Sequence, residues 1–365
     1  MFGALVATVT ACSSVNLNFD ASQPHHRPNG FQNNYLAFEP KGALELLRWR
    51  FDAWRHSLPP PTQQPAPSVA PDMAFVQANA RAGAAMQPAV TFIGHASVLV
   101  QAGGLNMLTD PMFSERASPF SFIGPKRAQP PGLSLTQLPR IDLVLISHNH
   151  YDHLDDASVI ALNAQPGGPP LFIVPLGLKA WLAEQGITQR VVELDWWQSH
   201  RVSGAEVVLT PAQHWSGRGL HDRLATLWGG FAVFMPDYQW FYSGDTGYSK
   251  DFADIRARFA DRQTDGGFDL ALIPVGAYEP RWFMATQHVN PAEAVQIHRD
   301  VRARRSLGVH WGTFSLTDEP LDQPPHDLAI ARRAAGLADD AFFVMAVGET
   351  RRLPPRRRAA EPLSR

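Results

Sequence analysis

His148-Asn149-His150-Tyr151-Asp152-His153 places three imidazoles and one carboxylate within six consecutive positions. The mostly apolar run from Ile141 to Ile146 leads straight into it. Such a run reads as a buried strand, so a strand delivers its C-terminal end into a cluster of metal-ligand side chains. Downstream, three further candidates stand in the same relation to a β-prone run. They are His214 in Thr210-Pro211-Ala212-Gln213-His214-Trp215, Asp245 in Ser243-Gly244-Asp245-Thr246-Gly247, and His310 in Gly308-Val309-His310-Trp311-Gly312. A shared place at strand ends predicts that these groups converge, and together they are enough for a centre of two metals.

The bulk numbers are compatible with that chemistry and exclude others. The chain has 365 residues, 45% of them apolar, which supplies a globular core. A net charge of −2 gives no footprint for a nucleic-acid partner. Cys12 is the single cysteine, so there is no intramolecular disulfide and no thiolate-based zinc site beyond one sulfur. Any metal must be held by histidine and carboxylate, which favours an open, reactive site over a closed structural one.

The ends of the chain differ from its middle. Phe2 to Ala11 is apolar but too short to span a bilayer. Val9-Thr10-Ala11-Cys12 resembles a bacterial lipobox. It implies a bacterial membrane-associated protein, lipid-anchored at Cys12 in the cell envelope; a cytoplasmic peripheral membrane protein is the alternative. Residues 1–12 form this leader, and residues 13–89 read as a tether, a helix and a Pro-rich linker. His25 and His26 read as ordinary loop residues. Leu44 to His56 is a plausible amphipathic helix whose aromatics, Trp49, Phe51 and Trp54, do not fall on one stripe. Docking on the domain and lying on a membrane are both open to it. The folded domain spans 90–350, and 351–365 is a basic tail. Within the domain an antiparallel entry from Val90 to Thr109 gives way to alternating strands and helices, with a long Pro-rich loop from Pro111 to Pro139. The expected architecture is α/β, two mixed sheets packed face to face with helices outside.

The order His-x-His-x-Asp-His, then His, Asp and His, resembles the ligand set of the metallo-β-lactamase fold, an αββα sandwich. The resemblance implies that His148, His150 and His214 hold one metal and that Asp152, His153 and His310 hold a second. Asp245 would bridge them, with a hydroxide between. Asp152 would also orient that hydroxide as a catalytic group. Nitrogen and oxygen ligands suit zinc, iron and manganese; two Zn2+ per chain are expected for their Lewis acidity. Asp110, in Thr109-Asp110-Pro111, would orient a ligand histidine.

Longer stretches narrow the family. Gly94-His95-Ala96-Ser97-Val98, Leu108-Thr109-Asp110-Pro111-Met112-Phe113-Ser114 and Gly124-Pro125-Lys126-Arg127 precede the cluster. Glu193-Leu194-Asp195-Trp196-Trp197, Gly244-Asp245-Thr246-Gly247-Tyr248, the run from Ile273 to Met284 and His310-Trp311-Gly312-Thr313-Phe314 follow it. From about Phe31 to Arg352 the chain resembles the N-acyl-phosphatidylethanolamine-hydrolysing phospholipase D family. The resemblance implies cleavage of the distal phosphodiester of a phospholipid substrate, releasing phosphatidic acid and an N-acylethanolamine. It implies a catalytic place for His288, on the phosphate or the leaving alkoxide, and places Gln287 and Arg218 near the site. It also implies a membrane surface as partner; a homodimer is left open. Ser121-Phe122 departs from the Gln-Tyr pair that mammalian members carry before Gly-Pro-Lys-Arg. Leu46, Leu47, Trp49 and Phe51, with Phe113, Phe120 and Phe122, would line a greasy entrance, and Arg356, Arg357 and Arg358 would attract anionic lipid. A metal-dependent hydrolase of lactones or other esters and a non-catalytic envelope lipoprotein are the competing readings.

Overall fold

The computed structural model describes residues 15–219, 221–263 and 266–356. Cys12 and the leader, Arg357 and Arg358 lie outside the described residues. A small N-terminal hairpin comes first, β1 (His26–Arg27) and β2 (Gly30–Phe31). Two helices follow, α1 (Ala43–His56) and α2 (Met73–Ala80).

The first sheet opens as a meander of β3 (Ala89–Gly94), β4 (Ser97–Ala102) and β5 (Leu105–Thr109). Gly103 and Gly104 turn the second of its corners with φ of 58° and 81°, the left-handed pair that a tight hairpin demands. From there the sheet continues in parallel through β6 (Leu143–Leu145), β7 (Leu171–Pro175) and β8 (Val191–Leu194). The crossovers are α3 (Asp156–Asn163) and α4 (Leu178–Glu184). The second sheet repeats the plan. Antiparallel β9 (Ser199–Val202), β10 (Ala205–Thr210), β11 (Gly230–Met235) and β12 (Tyr238–Tyr242) lead to parallel β13 (Leu270–Pro274), β14 (Ser306–Val309) and β15 (Phe342–Phe343). Helices α5 (Asp251–Arg258), α6 (Arg281–Met284), α7 (Pro291–Asp300) and α8 (Gln323–Ala334) fill its connections. Finally β16 (Thr350–Arg352) returns to pair with β3.

The layering follows from side-chain alternation. Along β4, Val98 and Val100 face the second sheet while Leu99 faces a separate cluster with Val76, Val159 and Leu182 of the helices. Strands buried on both faces read as near-continuous apolar runs, as β7 does, and the buried polar exceptions in β3 and β4, Thr91, Ser97 and Gln101, are hydrogen-bonded. The α/β sandwich is as expected. Helix α7 starts where its sequence says, on an Asn290 cap completed by Glu293 with Pro291 in the first turn.

Three expectations at the N-terminus are overturned. Residues 16–38 are not a tether. Phe31 is buried in the inter-sheet core, and Asn33 and Leu36 bond to the domain. The Pro-rich linker contains α2, whose Val76 packs under the first sheet. His25 and His26 are buried against Asp195 rather than idle in a loop. At the other end, the stretch read as tail begins inside β16, and Arg356 pairs with Asp269 at 3.2 Å. Helix α1 docks through Trp49, which donates to Asp318 Oδ2 at 2.8 Å and lies on Phe283, while Leu44, Leu47, Phe51 and Trp54 stay exposed. That double use explains why its aromatics form no single stripe.

Candidate metal centre

Both sheets end on one edge, and the ligand residues leave from it. Residues 148–153 follow β6, His214 follows β10, Asp245 follows β12 and His310 follows β14. Two sets of atoms gather there. His150 Nδ1 lies 2.8 Å from His148 Nε2 and 3.3 Å from His214 Nε2. Asp152 Oδ2 lies 3.3 Å from His310 Nε2 and 3.5 Å from His153 Nε2. Asp245 Oδ2 sits between the sets, 3.0 Å from His153 and 3.1 Å from His310 on one side, 4.0 Å from His148 and 3.9 Å from His214 on the other. The grouping expected from the sequence is therefore the grouping in space, with Asp245 at the junction.

The donor chemistry fits a pair of cations. Ser147 Oγ donates to Asp110 Oδ2 at 2.6 Å and so accepts from His148 Nδ1 at 2.9 Å. His214 Nδ1 donates to the carbonyl of Gln287 at 2.9 Å, and His153 Nδ1 donates to Asp110 Oδ2 at 2.7 Å. Each of these rings thus spends its proton on the far side and turns a bare Nε2 inward, the arrangement that metal-ligating histidines share. His153 Nε2 is buried with no hydrogen-bond partner and points at a carboxylate oxygen. At that distance a positive charge must lie between nitrogen and oxygen, a proton in the metal-free chain or a bound cation.

The electrostatics say the same. Burial pushes His148 well below the usual imidazole range, His150 down to about 3 and His214 down to about 4. Burial also opposes charge on His153 and His310, but Asp245 and Asp152 outweigh it, lifting His153 well above its ordinary value and His310 to about 9. Burial would raise Asp152 and Asp245, yet the adjacent imidazoles hold both well below the carboxylate range. Two carboxylates closed in by histidines form a donor set that suits cations.

The supporting residues sort by contact. Asp110 is fully buried and receives Ser147 N–H, Ser147 Oγ, His153 Nδ1 and the Tyr242 hydroxyl. His288 belongs to the site, its Nδ1 buried without a partner and 3.9 Å from Asp245 Oδ2. Gln287 reaches His214 through its backbone carbonyl, while its side chain turns to Met284. Arg218 is a brace. Its guanidinium donates to the carbonyls of Asn149 and Leu154, pairs with Asp156 and stacks on Tyr151.

Two contributors escaped the sequence. His95 Nε2 lies 2.9 Å from Asp152 Oδ2, and its carbonyl accepts the backbone N–H of His310 at 2.8 Å. The signal was its place after β3 on the same edge, in a tight turn rather than before a helix. Tyr242, whose hydroxyl reaches Asp110, ends β12 as one aromatic among several and belongs to no motif that marks it. His95, Asp110 and His310 all have left-handed φ, of 56°, 31° and 62°. Non-glycine residues held there store strain, which clusters at working sites.

Comparisons with known proteins agree with this geometry. A family model described as a beta-lactamase superfamily domain matches residues 105–311. The chain is 43% identical over 272 residues to "N-acyl-phosphatidylethanolamine-hydrolyzing phospholipase D 1" of Caenorhabditis elegans, covering 71% of this chain and 74% of that protein. It is 40% identical over 336 residues to an uncharacterized protein of Mycobacterium tuberculosis, covering 90% and 83% of the two chains. Among solved structures, that of "a possible metal-dependent hydrolase from Veillonella parvula" superposes with a TM-score of 0.57 at 19% identity, over 73% of this chain and 100% of the other. Fold, ligand set and relatives coincide, and the chain belongs to the metallo-β-lactamase superfamily and, within it, to the family of the N-acyl-phosphatidylethanolamine-hydrolysing phospholipases D, as a metal-dependent hydrolase.

Proposed function

We propose that this chain is a two-zinc phospholipase D-type phosphodiesterase that hydrolyses N-acyl-phosphatidylethanolamine to an N-acylethanolamine and phosphatidic acid. The observation that carries the reading is Asp245 Oδ2 seated between two histidine-rich triads, in a chain 43% identical to a relative of that name. Bound there, a pair of divalent cations supplies a water nucleophile at neutral pH and offsets charge on phosphoryl oxygens. His148, His150 and His214 would hold one zinc, Asp152, His153 and His310 the other. Asp152 is pinned through Oδ2 by His95 and has Oδ1 to orient the attacking water. Burial keeps His288 well below the usual imidazole range, so it acts as a neutral ring donating a hydrogen bond to a phosphoryl or leaving oxygen. Release of N-acylethanolamine by the purified protein should be abolished by a chelator and restored by Zn2+. Turnover of soluble lactones with none on N-acyl phospholipids would overturn the substrate.

The lipid reading also rests on what surrounds the site. Trp49 of α1 packs on Phe283, and Arg48 lies over Trp282, so the exposed apolar face of α1 continues into the segment leading to His288. On the other side, Phe120 lines a cavity of about 300 Å³ with Tyr151, Ser114, Arg116 and Arg218, and Phe122 and Ile123 are exposed beside it. Among the described residues no helix is long and apolar enough to cross a membrane. An amphipathic helix with Arg48, Arg50 and Arg55 among its apolar residues suits the surface of an anionic bilayer instead. Each exposed Leu or Trp transferred from water is worth about 1.5–3 kcal/mol. Leu47→Glu with Trp54→Glu should therefore release the protein from anionic vesicles in a flotation assay. Turnover on vesicle lipid should fall at least about tenfold, and turnover on a soluble short-chain diester should be kept. Equal loss on both substrates would count against a docking role.

A further inference from the structure

Residues 16–38 contribute no strand to either sheet, yet they run across the edge from which His214 emerges. We propose that this segment is a strap that positions the metal ligand His214, with Asn33 as the positioning residue and a two-histidine clasp on Asp195 as its anchor. The inference rests on the metal centre and not on the lipid substrate.

The anchor is built from groups that the sequence reading dismissed. His25 Nε2 lies 2.7 Å from Asp195 Oδ1, and His26 Nε2 lies 3.0 Å from Asp195 Oδ2. All three residues are buried, His25 stacks on Trp196, and the edge of His26 meets Phe31. Two imidazoles and a carboxylate also have the composition of a metal site. Protonation decides against it. The backbone N–H of Asp20 donates to His26 Nδ1 at 3.1 Å, so the ring proton sits on Nε2 and points at the carboxylate. A ligating histidine has the reverse need, a free nitrogen toward the metal and a donated proton behind it. The cluster is a hydrogen-bonded clasp. Burial would raise the Asp195 carboxyl, but the hydrogen bond and charge of His25, the Trp196 N–H and His26 hold it below the usual range.

From the clasp the chain is led to the site. A Cβ on Gly30 would stand 2.2 Å from the Leu224 carbonyl, so only glycine passes there, and Phe31 N–H then bonds to that carbonyl at 2.9 Å. Next, Asn33 takes the backbone of His214 from both sides. Its Oδ1 accepts His214 N–H at 3.1 Å and its Nδ2 donates to the His214 carbonyl at 2.9 Å. The same Oδ1 accepts Trp228 Nε1 at 3.1 Å. Gln213 Nε2 donates to the Leu36 carbonyl at 2.8 Å, and Phe38 stacks on Trp215. Three consecutive residues are thus held by the strap, and the ring of Trp215 in turn lies 4.2 Å from that of His150. β10 ends at Thr210 and its ladder reaches only as far as the Gln213–Gly247 bridge; the His214 ring is held by Gln287, and its backbone is held by the Asn33 amide. Partners that orient metal ligands typically govern 10–100-fold in metal affinity.

The test uses Co2+ as probe on the full chain. Wild type should take up two equivalents, each visible in d–d absorption. Asn33→Ala should bind the equivalent held by His214 about 10–100-fold more weakly, with an altered spectrum and an unchanged far-ultraviolet circular dichroism. Asp195→Ala, at a residue whose bonds go to His25, His26, Gln198 and Trp196 and to no candidate ligand, should raise amide exchange across residues 25–38 and weaken the same equivalent in the same direction. It serves on its own if Asn33→Ala does not fold. Wild-type affinity and spectrum in either folded variant would overturn the strap. A wild-type chain that takes up no Co2+ would instead overturn the metal centre.

Discussion

Asp245→Asn will cost on the order of a thousandfold or more in turnover while leaving the fold in place. One carboxylate oxygen, Asp245 Oδ2, lies within 4.0 Å of His148, His153, His214 and His310 at once. An amide at that position is neutral, and in one of its two orientations it turns N–H donors toward the imidazoles. The charge that lets two cations approach one another is then lost. Metal content measured by mass spectrometry should fall below two per chain, and kcat should fall with it. Circular dichroism should not change, because no strand residue is altered. A variant with wild-type kcat would refute the assignment of Asp245 to the junction.

Asp110→Asn carries the second large effect, for a different reason. Asp110 groups with His148 and His153, but four donors end on its carboxylate and occupy it. An amide cannot accept them all. Where its nitrogen faces His153 Nδ1, that ring must move its proton to Nε2, the atom turned toward Asp245. The ligand is then lost by tautomer rather than by displacement. Metal affinity should drop about 10–100-fold. Breaking a buried charged network should in addition cost about 3–5 kcal/mol of stability. Urea unfolding with and without chelator separates the two: the stability loss persists in the metal-free chain, and the affinity loss does not appear there. An affinity equal to wild type would mean that Asp110 is only structural.

The ligand set was legible because its chemistry is local in sequence. His148 to His153 is dense, and His214, Asp245 and His310 each follow an apolar run whose end is visible. The alternation of strands and helices gave the sandwich for the same reason. What stayed hidden was held by contacts between distant segments. Residues 16–38 are polar and aperiodic, and nothing in them announces that Asn33 pairs with a backbone 181 positions away. His25 and His26 look like any loop histidines until Asp195 is placed beside them. Helix α2 is eight residues long and follows a run of prolines, so periodicity had too little length to work with. The resemblance places Gln287 near the site without a role; its contact there is made by the backbone carbonyl, and a backbone role leaves no trace in residue type.

Each triad takes its members from both sheets: His148 and His150, or Asp152 and His153, come from the first, and His214 or His310 from the second. A cation bound to either triad therefore rivets one half of the sandwich to the other. During synthesis the first half emerges with four ligands and no means of closing a triad. The last ligand is His310, and it needs β14, which lies between β13 and β15. A cation in the triad completed by His310 would therefore have to wait for nearly the whole chain. Loading would then be a late event, and the free energy of metal binding would be added to the cohesion between the two halves rather than to either one.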